Sequence, residues 1–456
     1  MKLTRRQAAA FGSLWTLQAC TSVPHPVPDD RSFKPALDRE LSALVADPQH
    51  PLLNVSALAI RDGRVVYQNQ FGRRIVDSND PSRDQPIGPD TLFRIASVSK
   101  LVVAVAVMRL VEDGKLTLDA DVSATLGWTL RNPSFPQRPI SLRHLLSHRS
   151  SLTDGNPAMY WWDVGVSLQD VLSPGGRLYK PGAYWRSDRG PGDWFNYVNL
   201  NYGVIGTVLE GATGERFDRL VQRLVLTPLG LRGGFNLADF PAADVARIAP
   251  LYRKRRDEGE REIWEPAGPW RVHADDFTRS APQLPANLER YVIGSNGTVF
   301  GPQGRLRISV ADLGTLMMML LNEGRHDGRP FLQPASVQAL AAEQWRMDRV
   351  RPNGEAHQDW ALAWGLGVQR FTDQSGPGRG DRLVEGGGFT GWGHLGDAYG
   401  LKAAFVLDPA QRRGLVVVTS GPGVDPETYA GRWSAMDRWE EQAITAVVRH
   451  AMQPPG

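Results

Sequence analysis

An α+β fold, an antiparallel sheet flanked by helices with a mostly helical lobe inserted into it, is predicted by three features of this sequence. Strand-type alternation stands near both ends of the chain. Segments of helical periodicity or all-round apolarity accompany those strands. Between them, from about residue 116 to residue 285, Pro, Gly and Trp are scattered through a loop-rich stretch with few strand patterns. A chain of 456 residues can bury a core large enough for such an arrangement.

Taken in order, Leu37, Leu41, Leu44 and Val45 recur at helical spacing and open the folded part. Alternation from Val55 to Ile60, then Asp62-Gly63, then Val65-Val66-Tyr67 predicts a hairpin with a tight turn. Leu101 to Met108 is apolar all round; it is too long for a strand and unbroken by Gly or Pro until Gly114, so it is read as a central buried helix. Near the far end, Lys402 to Leu407 and Leu415 to Thr419 predict two strands joined across Asp408-Pro409. A closing helix is expected from about Trp433 to Met452.

Hydrophobic residues at 41% and charged residues at 22% exclude a disordered chain. A formal net charge of +3 gives no nucleic-acid footprint. The single cysteine, Cys20, rules out an intramolecular disulfide. It follows Arg5-Arg6, an apolar run from Ala8 to Trp15, and Leu17-Gln18-Ala19, the layout of a cleavable export signal ending at a lipobox-like cysteine. Thr4-Arg5-Arg6-Gln7 also hints at twin-arginine export. The proline-spaced stretch from Thr21 to Pro28 follows as a tether.

The chemistry is carried first by Ser97 and Lys100, three residues apart at the head of the most apolar helix. A serine hydroxyl needs a base within reach, and lysine serves only if its ammonium is destabilised by burial and by the positive helix end. Unpaired N–H groups at the same helix start suit an oxyanion. Taken alone, Ser-x-x-Lys is equally an N-cap serine followed by a snorkelling lysine.

Further motifs give the pair its context. Tyr197-Val198-Asn199 within Phe195 to Gly203 resembles the Tyr-x-Asn segment of the serine β-lactamase-like superfamily, in its class C and D-Ala-D-Ala carboxypeptidase branch. Ile140 to His148, Gly301 to Leu306 with Ala311-Asp312-Leu313, and the triplet His394-Leu395-Gly396 resemble further segments of that family, in its order, from about Leu41 to Thr419. The resemblance implies a β-lactamase/transpeptidase-like fold and an acyl-enzyme on Ser97, with Lys100 taking the proton directly or through Tyr197. It implies that Asn199 holds the Lys100 ammonium and the substrate amide, that His394 and Gly396 belong to the substrate site, and that the N–H groups of Ser97 and Asp397 form the oxyanion hole. Which group is the base stays open at this point.

Departures from the family bear on substrate. His394 stands where lysine is usual, Leu395 replaces a hydroxyl residue, Ser151 replaces a common glycine, and about six extra residues lie near Trp185 to Gly190. They argue against an efficient β-lactamase and for an esterase or a D-amino-acid peptidase of carboxypeptidase type, with weak β-lactamase activity allowed. A non-catalytic peptidoglycan or β-lactam binding protein of the same fold is the alternative.

Other patterns carry less. His144 and His148 have metal-ligand spacing but lack the glutamate of His-Glu-x-x-His, so a packed structural pair is expected. Gly386, Gly388 and Gly391 match a dinucleotide fingerprint that no helix follows. A Gly-x-Ser-x-Gly elbow is absent. Most of the fourteen tryptophans read as packing, and Arg253-Lys254-Arg255-Arg256 as an exposed loop. The organisation expected is therefore an export signal over 1–20, a Pro-rich linker over 21–35 and a serine hydrolase domain over 36–452. No metal or cofactor, a small ester, amide or peptide substrate, no nucleic acid, and membrane contact only through lipid on Cys20 complete the expectation, with the protein in the periplasm or cell envelope.

Overall fold

A computed structural model describes residues 32–259 and 261–453; the expected export signal, Cys20 and most of the linker lie outside the described residues. The elements that build the site are, in chain order, helix α1 (Lys34–Ala46), strands β1 (Leu52–Arg61) and β2 (Arg64–Ile75), helices α2 (Ser99–Glu112), α3 (Leu142–Leu146), α4 (Leu200–Thr213) and α5 (Val310–Leu321), strands β3 (Gly391–Ala398), β4 (Leu401–Asp408) and β5 (Arg413–Pro422), and helix α6 (Arg438–Val447).

All neighbours in the nine-stranded sheet are antiparallel. Its order runs from the short strands 345–346, 363–364 and 369–371 through β3, β4, β5, β1 and β2 to 85–86. The β1–β2 hairpin turns at Asp62 and Gly63, both at positive φ (53° and 70°), the conformation a two-residue turn between twisted strands requires. The expected first hairpin and the expected β4–β5 pair are thus both present, and β1 at the middle joins them.

Alternation along the central strands divides the core. Val55, Ala57 and Ala59 of β1, Ala404 and Val406 of β4, and Leu415 and Val417 of β5 face α1 and α6. Leu58, Ile60, Phe405, Leu407, Val416 and Val418 face α2 and α5. A sheet buried on both faces explains why β1 and β5 read as nearly continuous apolar runs. Helix α2, from Leu101 to Val107, has no exposed residue, which accounts for its apolarity all round.

Two sequence expectations need correction. The closing helix begins at Arg438, not near Trp433, because Asp437 caps it with Glu440 in a reciprocal box. Before it, the Glu441 carboxylate accepts from the backbone of Arg432 and Trp433 and from the Ser434 hydroxyl, holding that stretch non-helical. The basic run Arg253 to Arg256 is not a loop: it spans strands 251–253 and 255–258, paired with 271–274 and 261–264. Arg255 is buried there and ion-paired with Asp257 and Glu262, so pairing of opposite charges hides a strand that carries little apolar signal. Apart from the two-residue strand Gly233–Gly234, the rest of 116–285 is made of loops and helices, most of them short, with α4 the longest. Among the described residues no helix is long and apolar enough to cross a membrane.

Candidate active site

The turn that carries Ser97 is pinned from three sides. Phe93-Arg94 pair with Arg307-Ile308, which pair in turn with Gly233-Gly234. Ser97 sits in a single 3-10 turn, Ala96–Val98, that runs directly into α2. Ala96 occupies the left-handed region at φ 47°, which costs a non-glycine residue about 1 kcal/mol and brings the turn around sharply. Ser99 holds it: its hydroxyl donates to Ala96 O at 2.6 Å and accepts from Leu306 N–H at 3.2 Å. Strand β3 closes the third side. A Cβ on Gly396 would meet Ile95 O at 2.5 Å and Ser97 N at 3.3 Å, so only glycine lets the strand pass this close.

Lys100 has no exposed surface, whereas Ser97 is partly exposed. The lysine Nζ lies 2.8 Å from Ser97 Oγ and 2.9 Å from both Asn199 Oδ1 and the backbone oxygen of Gln303. Burial pulls its pKa down from the ordinary 10.5 to about 7; Asp154 works weakly in the other direction. Tyr197 hydrogen-bonds to Ser97 through its hydroxyl, and its ring lies 4.9 Å from Nζ. Burial raises the phenol well above its usual value, so the neutral hydroxyl is the form present near pH 7.

Tyr197 is held by an aromatic box. His148 stacks on it at 4.5 Å, while Trp360 and Trp364 meet it edge-on at 5.1 and 5.6 Å. His148 is buried, with its pKa far below the ordinary value because of desolvation, and its Nδ1 accepts from Val198 N–H at 3.0 Å. His144 belongs to a capping box at the start of α3. The two histidines therefore serve α3 and the Tyr197 segment separately.

Asn199 starts α4 yet does not cap it with its own side chain. Asp154 does so instead, accepting from Asn199 N–H at 3.0 Å and Leu200 N–H at 2.8 Å, a carboxylate at the positive end of a helix. It also accepts from Asn199 Nδ2 at 3.1 Å, which turns Oδ1 of the amide toward Lys100. Sequence reading missed Asp154 because it caps from 45 positions away. It missed the Gln303 carbonyl because a backbone oxygen has no residue-type signature.

His394 is buried and its pKa is pushed down to about 3, chiefly by desolvation and further by Lys100. It lies between Tyr197 and Trp364, at ring distances of 6.2 and 5.5 Å, and is uncharged near neutrality. Leu395 packs with the core on the opposite face of the sheet. Asp397 is exposed and its carboxylate pairs with Lys402 at 2.9 Å. Ser151, where glycine is usual, has φ 67°, and its hydroxyl accepts from Asn132 at 3.0 Å. Trp185, in the extra segment, is buried and donates to Leu172 O at 3.1 Å. Ser97, Lys100, Tyr197, Asn199, Gly396 and His394 thus come together in one place from three separated segments.

A model of the beta-lactamase family matches residues 37–436 of the chain. Esterase EstB of Burkholderia gladioli is 31% identical over 223 residues, 45% of this chain and 52% of the esterase. Penicillin-binding protein 4 of Amycolatopsis lactamdurans is 26% identical over 66% of this chain and 68% of its own length. The chain therefore spans about half of one curated relative and two thirds of the other. Among solved structures, the D-amino acid amidase of Ochrobactrum anthropi SV3 complexed with D-phenylalanine superposes with a TM-score of 0.58 at 18% identity, covering 91% of this chain and 96% of that one, a likeness of fold.

Removing the carboxylate in Asp154→Ala uncaps α4 and lets the Asn199 amide rotate. Labelling of Ser97 by a fluorophosphonate is expected to slow about 100-fold with the circular dichroism spectrum retained; an unchanged rate would show that Asn199 is held without Asp154.

Proposed function

The chain belongs to the beta-lactamase family, and from that premise we propose that it is a serine hydrolase cleaving small esters or amides, D-amino-acid peptides among them, through an acyl-enzyme on Ser97. One observation carries the reading. The Lys100 amine touches three oxygens, of which two, Asn199 Oδ1 and Gln303 O, can only accept. A neutral amine donates its two hydrogens to those carbonyls and is left with its lone pair toward the Ser97 hydroxyl.

In this scheme Lys100 removes the Ser97 proton as Oγ attacks the substrate carbonyl. Tyr197, held as a phenol, relays a proton to the leaving group rather than acting as a phenolate base. N–H groups of Ser97 and Asp397, brought together where Gly396 passes the nucleophile turn, receive the developing oxyanion. Water then repeats the sequence on the acyl-enzyme. With His394 uncharged and Leu395 turned away, the third motif supplies shape more than charge. That favours esters and amides over β-lactams, as does the similarity to an esterase.

Residues 1–20 are assigned in the same proposal to an export signal, 21–35 to a tether and 36–452 to the catalytic unit. Lipid on Cys20 then holds the protein at the cell envelope. The Arg5-Arg6 pair, the apolar run after it and Ala19-Cys20 support this part.

Incubation with a fluorophosphonate probe is expected to add one adduct to the intact mass of the protein and none to Ser97→Ala. Absence of an adduct on the folded parent would replace catalysis by ligand binding. Because Lys100 must be deprotonated, kcat/KM for a neutral ester is expected to fall about tenfold per pH unit below the lysine pKa and to level off above it, with the break near pH 7. A rate still climbing toward pH 10 would return the lysine to its ordinary value. Cys20→Ser is expected to move the protein from the membrane to the soluble fraction; a variant that stays membrane-bound would remove the lipid anchor.

A further inference from the structure

A cavity of about 450 Å³ borders the segment that leads into the Ser97 turn, and three arginines stand in its polar wall. Arg94, three residues before Ser97, lines it together with Arg305 and Arg307, which follow the Gln303 carbonyl that contacts Lys100. The link to the reacting centre is short. Arg94 Nε donates to Gly304 O at 3.4 Å, and a Cβ on Gly304 would lie 3.6 Å from the Ala96 carbonyl carbon.

The three guanidinium groups are unequally matched. Arg307 makes a two-pronged pair with Asp275, and Arg94 stands at 4.0 Å from the same carboxylate. Arg305 has no ion pair among the described residues; one guanidinium nitrogen donates to the Val299 carbonyl at 3.3 Å. Asp163 also lines the cavity but pairs with none of the three among the described residues. The Arg94 and Arg307 side chains are only 15% and 7% exposed, so water compensates little of this charge. Burial and the neighbouring Arg307 depress Arg94 to about 10.

The other walls are apolar. Trp161, Leu284 and Tyr399 line the cavity and remain 47%, 50% and 43% exposed, and the Arg94 guanidinium lies 4.7 Å from the centre of the Tyr399 ring. Exposed aromatic and aliphatic walls leading to a half-satisfied arginine cluster match a ligand with an apolar body and an anionic end. Within the third motif, buried and uncharged His394 offers such an end no fixed charge.

We propose that this cavity is a substrate subsite for a carboxylate, gripped by Arg305 with Arg94 behind it, and that the preferred esters or amides carry an acid on one side of the scissile bond. Placing the carboxylate on a substrate rests on the acyl-enzyme reading; the anion site itself does not.

Two matched ester pairs test it, at low salt. Mono(4-nitrophenyl) glutarate against 4-nitrophenyl butyrate puts the acid on the acyl side, and 4-butyryloxybenzoate against 4-butyryloxybenzamide puts it on the leaving group. In one pair the anionic member is expected to have a kcat/KM about tenfold or more above its neutral partner. That ratio is expected to collapse toward one in Arg305→Gln and to survive in part in Arg305→Lys. Ratios near one in both pairs for the parent, or a parent ratio kept in Arg305→Gln, would overturn the subsite. Fluorophosphonate labelling of the parent and of Arg305→Gln checks the hydrolase reading separately. If Ser97 labels and the ratios are flat, only the subsite falls. If Ser97 does not label, calorimetric titration with glutarate decides. Saturable binding lost in Arg305→Gln supports the anion site, and no binding overturns it.

Discussion

Keeping the side chain of Lys100 away from water is the constraint on which the rest of the site depends. An ammonium in solution has no lone pair to offer, and a carboxylate in contact would keep it protonated. The fold meets both conditions. Lys100 is the second residue of a helix with no exposed face, under the rings of Tyr197 and Tyr202 at 4.9 and 5.4 Å. Its hydrogen-bond partners are an amide, a hydroxyl and a peptide carbonyl, all uncharged. His148 and His394, the other basic groups nearby, are themselves driven neutral by burial, so each adds polarisability without adding charge.

Asp154 shows how the same constraint extends outward. Its carboxylate is useful at the start of α4 and unwelcome beside Lys100. The Asn199 side chain separates the two, receiving the carboxylate on its Nδ2 side and presenting Oδ1 to the amine. Burial raises the Asp154 pKa, and three N–H donors oppose that rise by stabilising the carboxylate.

Much of this was legible in the sequence for one reason: residues whose chemistry depends on short spacing leave a local signature. Ser97 and Lys100 are one helical turn apart, and Tyr197 and Asn199 are two residues apart. The apolar runs Ala57 to Ile60 and Leu415 to Val418 mark strands buried on both faces. Where spacing is long, or the atom involved is backbone, the signature disappears. Asp154 caps a helix 45 positions away, the Gln303 contribution is a carbonyl, and Arg305 meets Arg94 only after folding. Strands 255–258 and 261–264 escaped because their side chains are mostly charged and paired across the ladder, and 251–253 and 271–274 because three or four residues are too few to show a period. Ser151 is the reverse case: the position where glycine is usual is one of left-handed backbone, so a departure in residue type pointed at a real conformational demand.

The strand order also sets when the site around Ser97 can assemble. Ala57 of β1 pairs with Val417 of β5, and β3 hangs on β4, which hangs on β5. The centre of the sheet is therefore vacant until the last strand has left the ribosome. A contact spanning that much chain closes slowly and leaves the edges of β1 and β4 open in the meantime. Ser97 and Lys100 are synthesised long before β3, the strand that passes beside them. Chains truncated ahead of β5 carry the Ser97 motif intact and lack the sheet that holds its surroundings, so topology alone couples assembly of the site to synthesis of β5.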